Sequence, residues 1–85
     1  MYSIRLLKDA SREMARLDKS TAQRIVRKLH WLADNIESLS LEPLKGEFSG
    51  LYKLREGDYR IAYEVLRSEK TIVVHLIGHR REVYK

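Results

Sequence analysis

Cysteine is absent from the 85 residues, so no disulfide framework and no cysteine-ligated zinc site can stiffen the chain. A chain of this length holds one domain, residues 1–85, with one modest core, and its stability must come from packing, helped by any bound partner. No uncharged apolar run approaches the roughly 18–20 residues that span a bilayer. The opening MYSIRLLKDASR has neither an apolar h-region nor a cleavage site, so a cytoplasmic location without membrane contact is expected. Proline occurs once, and Pro43 falls with Gly46 and Gly50 in the stretch from Ser38 to Gly50, which marks a connection, extended in part. Apolar residues are not scarce: at 44% they argue against disorder. Internal repeats and low-complexity segments are absent.

Acidic residues are the minority charge, 12 against 17 basic ones, which leaves a formal net charge of +5. A surplus of this size on a small chain fits a polyanionic partner, and equally fits scattered surface lysines. The kind of basic residue shifts the balance. Arginine outnumbers lysine ten to seven, and arginine grips phosphate through a planar fork of donors.

Periodicity divides the chain into a helical half and an extended half. Residues 2–7 read as a short strand. Asp9 is placed to cap a short helix with Ala10, Met14 and Leu17 on one face. Ser20 and Gln23 have capping-box spacing for a longer helix with Ala22, Ile25, Val26, Leu29, Leu32, Ala33 and Ile36 as its buried stripe. Arg24, Arg27 and Lys28 lie off that stripe and read as a solvated face, with contact to RNA as the alternative, while His30 and Trp31 at its edge read as packing residues. Beyond Gly50 the period changes to two, giving strands over 51–55, 58–66 and 71–78 with turns at Glu56-Gly57 and Ser68-Glu69. The expected fold is α+β: an N-terminal strand, two helices and a three-strand antiparallel meander, with the helices on one face of a four-stranded sheet.

A two-residue turn at Glu56-Gly57 sets Arg55 opposite Asp58, Leu54 opposite Tyr59, Lys53 opposite Arg60 and Tyr52 opposite Ile61. Tyr52, Leu54, Tyr59, Ile61 and Tyr63 then share an apolar face, and Lys53, Arg55, Asp58 and Arg60 the polar one. Like charges across a sheet disfavour it by some tenths of a kcal/mol up to about 1. Either the side chains splay into water, or an anion lies across them. In the next hairpin Ile72, Val74 and Leu76 are expected on the apolar face, and Val73, His75 and Ile77 on the polar one. Gly78 permits a bend, after which His79, Arg80 and Arg81 return beside Tyr59 and Arg60. With Tyr84 they combine basic and aromatic groups, a mixture suited to phosphate contact and base stacking.

LKGEFSGLYKLREGDYRIAYEV followed by IGHRREVY resembles the pattern of the RelE/ParE toxins, and the resemblance covers nearly the whole chain. It implies a RelE-like fold and the toxin role in a type II toxin–antitoxin system. RelE members cleave ribosome-bound messenger RNA, and ParE members poison DNA gyrase. By resemblance to RelE-type sites, Lys53, Arg60, Arg80 and Tyr84 are the catalytic positions, with Arg55, His79 and Arg81 binding substrate. Some relatives carry a second lysine where this chain has Leu51, which leaves the proton-transfer groups open. The expected partners are a cognate antitoxin, an acidic and partly helical segment, together with the ribosome and its mRNA. Operator DNA is reached only through the antitoxin complex. A gyrase inhibitor and an inactive basic RNA-binding module are the alternatives.

The reaction the family implies is attack of a 2′-hydroxyl on the adjacent phosphate without metal or cofactor. It requires a base, cations for the developing phosphorane and an acid for the 5′-oxygen. Arginine stays protonated, so Arg60 and Arg80 stabilise charge, each by roughly two to four kcal/mol. Proton transfer falls to Lys53, Tyr84 or His79, and no well-placed carboxylate–histidine pair is evident. His75 and His79 on one extended strand are roughly 13 Å apart, too far to share a metal ion. Growth arrest on induced expression should be abolished by Tyr84→Ala; an arrest that ignores this change excludes the nuclease reading.

Overall fold

The computed structural model describes residues 1–79 of the chain. Arg80, Arg81 and Tyr84, named above as site positions, lie outside the described residues. The order is β1 (Ser3–Leu6), α1 (Lys8–Arg16), α2 (Lys19–Asn35), β2 (Glu42–Pro43), β3 (Tyr52–Glu56), β4 (Tyr59–Leu66) and β5 (Thr71–His79). The fold is α+β as expected, but the sheet has five strands where four are expected, because Glu42–Pro43 pairs with β3. Strand order is β1-β5-β4-β3-β2, with β1 parallel to β5 and the other pairs antiparallel. Among the described residues, no helix is long and apolar enough to cross a membrane.

Both helices start earlier than the capping signals imply. Lys8 opens α1 with Leu7 in the capping position, and Asp9 sits in the first turn, where its charge complements the helix dipole. Asp18, not Ser20, caps α2: its Oδ2 accepts from the Thr21 backbone N–H at 3.2 Å. Hydrogen bonding from the Thr21 side chain, and then from its backbone N–H, holds the Asp18 carboxyl below its ordinary range. A carboxylate caps better than a hydroxyl here because it is ionised and faces the positive end of the helix.

The core lies between the helices and one face of the sheet. Ile25, Leu29 and Leu32 from α2 and Ile36 just after it meet Ile61 and Tyr63 of β4 and Ile72, Val74 and Ile77 of β5. Val26, expected on the buried stripe, is 41% exposed, and Trp31, expected to pack, is 42% exposed. An α-helix advances about 100° per residue, so a stripe centred on Ile25, Leu29 and Leu32 leaves Val26 and Trp31 on its flank. Tyr63 is buried, and desolvation pushes its phenol up to about 12.

The first hairpin turns at Gly57-Asp58, one residue later than expected, with Gly57 at φ +59°, as a type II′ turn requires at its first central position. Arg55 therefore lies opposite Arg60, and Lys53 opposite Ala62. The pairing has slipped by two residues, an even number, so the strand side chains keep their expected faces, while Asp58, expected opposite Arg55, moves into the turn. The second hairpin keeps Leu66 opposite Thr71, around the expected turn, but its register shifts between Ala62 and Tyr63. Ala62 pairs with Leu76 and Tyr63 with Val74, which leaves His75 as the extra residue of a β-bulge. Beyond it the faces exchange: Ile77 is buried on the helix side opposite Ile61, and Leu76 moves to the outer face.

Ile25→Ala should lower unfolding free energy by about 2–5 kcal/mol in a denaturant titration. Val26→Ala should cost less than about 0.5 kcal/mol.

Candidate functional site

The first hairpin places the polar cluster. Lys53 and Arg55 are two apart on β3, and Arg60 is the cross-strand partner of Arg55, so all three share the face away from the helices. Lys53 lies diagonal to Arg60, within reach for long side chains. Between them the floor is Ala62, fully buried and contributing only a methyl group. The like-charge pair is thus Arg55 with Arg60 rather than Lys53 with Arg60.

A carboxylate completes the cluster. Pairing of β2 with β3 sets Glu42 opposite Lys53, and the Lys53 Nζ donates to the Glu42 Oε2 at 2.7 Å. The Lys53 side chain is 18% exposed and that of Glu42 62%. The hydrogen bond from Lys53 is the main cause holding the Glu42 carboxyl below its ordinary range. Desolvation opposes the effect, and the charges of Lys53, Arg55 and Arg60 add to it. Lys53 touches the carboxylate, while Arg55 and Arg60 act on it at longer range from the same face of the hairpin. Sequence reasoning missed Glu42, because a two-residue strand carries no period; the available signal was an acid beside the single proline of the connection.

The structure also contains a carboxylate–histidine pair that the sequence did not suggest. His75 Nε2 and Glu64 Oε1 are 3.0 Å apart on the outer face, where the bulge turns His75 toward β4. His79, by contrast, pairs with Tyr59 on the helix side, its ring edge-on to the tyrosine at 5.7 Å between centroids. The same bulge explains this, since it inverts every position of β5 beyond His75. Of the residues expected in the site, the structure brings together Lys53, Arg55 and Arg60, and sets His79 on the opposite face.

The Lys53–Glu42 attraction should be present above pH 4.5, the ordinary value of the carboxyl, and lost as pH falls through its lowered folded value. Glu42→Gln should therefore lower the melting temperature slightly at neutral pH, with the difference closing in acid. The same change should strengthen binding of a short RNA at low salt, because a competing anion is removed.

Residues 4–84 match the family described as the ParE toxin of the type II toxin–antitoxin system parDE. An Escherichia coli protein described as a RelE-like toxin is 32% identical over 81 residues, covering 93% of this chain and 83% of its own length. The toxin–antitoxin complex RelBE2 of Mycobacterium tuberculosis contains a chain with a TM-score of 0.81 and 25% identity, covering 93% of this chain and 98% of that one. The isolated RelE toxin of Escherichia coli has the same fold, with a TM-score of 0.78 at 23% identity over 99% of this chain and 92% of its own. With a family match across nearly its whole length and a fold shared with RelE, this chain belongs to the RelE/ParE superfamily, as a toxin of type II toxin–antitoxin systems.

Proposed function

We propose that this toxin is a ribosome-dependent endoribonuclease that cleaves messenger RNA and so inhibits translation. The observation that carries the reading is the placement of Lys53, Arg55 and Arg60 together on the outer face of the hairpin, with Glu42 paired to Lys53. A phosphate bridging these cations would exchange the weak internal attraction to an exposed carboxylate for charge-assisted bonds from two arginines.

In the proposed reaction the 2′-hydroxyl loses its proton and attacks the adjacent phosphorus, the bond to the 5′-oxygen breaks, and that oxygen takes up a proton. The products are a 2′,3′-cyclic phosphate and a free 5′-hydroxyl. Arg60 stabilises the phosphorane charge, and Arg80 and Arg81 are assigned to phosphate contacts on sequence grounds. Lys53, held beside the cluster by its ion pair with Glu42, is assigned to charge stabilisation at the phosphate and is one candidate for proton transfer. Glu42 stays ionised and is the described member of the cluster able to accept a proton. Tyr84 remains the sequence-based candidate for stacking and proton transfer. No step in this scheme calls for a metal ion. A carboxylate with a lowered pKa is a weak base, so the chemistry depends on an external body, the ribosome, to hold the substrate in line.

A cognate antitoxin is the partner this reading implies, since RelBE2 is itself a toxin–antitoxin complex. An acidic antitoxin segment over the basic outer face would block it, and operator DNA contacts would come from the antitoxin. A ParE-like block of DNA gyrase is the second reading, favoured by the description of the matching family.

The test is induced expression in a bacterial host followed by primer extension on abundant transcripts. Cuts at fixed positions within translated codons are expected, with Arg60→Ala slowing cleavage on the order of a hundred-fold or more. Growth arrest with intact transcripts and damaged or over-supercoiled DNA would sink this proposal in favour of the gyrase reading.

A further inference from the structure

One stripe of α2 has no part in the core or in the cluster. Arg24, Arg27, Lys28 and Trp31 follow the i, i+3, i+4, i+7 spacing of a single helix face. Like charges at these spacings disfavour a helix, and no ion pair within 4.0 Å among the described residues involves any of the three cations. Arg24 acts only at longer range on Asp18. Trp31, the single tryptophan of the chain, closes the stripe 42% exposed, with the Lys28 Nζ 4.2 Å from its ring centroid. Beyond that contact with Lys28, the half-exposed ring and the cations without a close ion pair among the described residues take no part in the core.

Position supplies a use. Lys28 and Trp31 share a depression of about 260 Å³ with Glu42, Lys53 and Arg55, over the edge of β3 that the short β2 leaves uncovered. On its other side Trp31 borders a second depression with Arg24, Arg27 and Glu56. The helix stripe therefore continues the outer-face cluster around the sheet edge.

We infer that this stripe is a second binding subsite for single-stranded RNA: Trp31 stacks on a base of a nucleotide flanking the cleaved one, and Arg24 and Arg27 hold its phosphates. The inference rests on the ribonuclease reading and extends it. Stacking needs a π-face and no base-specific donors, so the subsite sets affinity and direction of the strand rather than sequence. RNA is the favoured occupant because the exposed stripe itself offers one aromatic ring and three cations; Leu39, Leu41 and Leu54 also line the depression beside Trp31, and a protein segment seated on them is the outcome that the peptide arm of the test detects.

Trp31 fluorescence reports on this site alone. Titration of the full chain with a short 2′-O-methyl oligoribonucleotide, which cannot be cleaved, should quench it saturably and less at high salt. Trp31→Ala, a change at an exposed position, should keep the thermal melt, weaken oligonucleotide binding about ten-fold by anisotropy, and raise the KM for ribosome-bound mRNA. Trp31→Tyr should restore most of both. Unchanged fluorescence on binding, with equal KM for the wild type and Trp31→Ala, would overturn the subsite while leaving the nuclease reading intact. Loss of all oligonucleotide binding, with transcripts uncut, would overturn both. Quenching by an acidic peptide but not by the oligonucleotide would overturn the subsite and assign the stripe to a protein partner.

Discussion

The side-chain alternation of β4 is the constraint on which the rest depends. Ile61, Tyr63 and Val65 point toward the helices, so Arg60, Ala62 and Glu64 must point away. Burying one large apolar side chain is worth about 1.5–3 kcal/mol, whereas a like-charge pair across a sheet costs up to about 1 kcal/mol. The core therefore decides the register, and the cations of β3 and β4 are held together by packing on the other side of the sheet. Their convergence is imposed from below. It needs no attraction among the groups themselves, and it keeps them available to a ligand.

Periodic features were legible for the same reason. The stripe through Ile25, Leu29, Leu32 and Ile36 repeats with the helix and identified the buried face of α2. The first hairpin was assigned one residue early at its turn, yet Lys53, Arg55 and Arg60 still fell on one face. An even slip in pairing changes partners and leaves faces alone. Face is a more robust inference than partner, because parity protects it.

What the sequence concealed has no period. The bulge at His75 adds a single residue to β5, and nothing in the run of Val73, Val74, His75, Leu76 and Ile77 announces it, since either phase buries apolar side chains. One unforeseen residue sent His79 to the helix side and brought His75 against Glu64. Glu42 was hidden differently: its strand is two residues long and ends at Pro43, which cannot donate to a ladder and suits a sheet edge. The cap at Asp18 shows a third kind of loss, a choice between adjacent polar residues that differ by a fraction of a helical turn.

The parallel pairing of β1 with β5 has a consequence in time. Among the described residues Ser3–Leu6 finds its one strand neighbour in Thr71–Val74, so the first of the five strands to be synthesised waits for the last. Closing a loop of that length is slow compared with forming the hairpins, and it cannot begin until synthesis has passed residue 74. A nascent chain is thus unable to complete its sheet before β5 is available. For a protein whose proposed target is the translating ribosome, the fold itself withholds a complete sheet until β5 has been made.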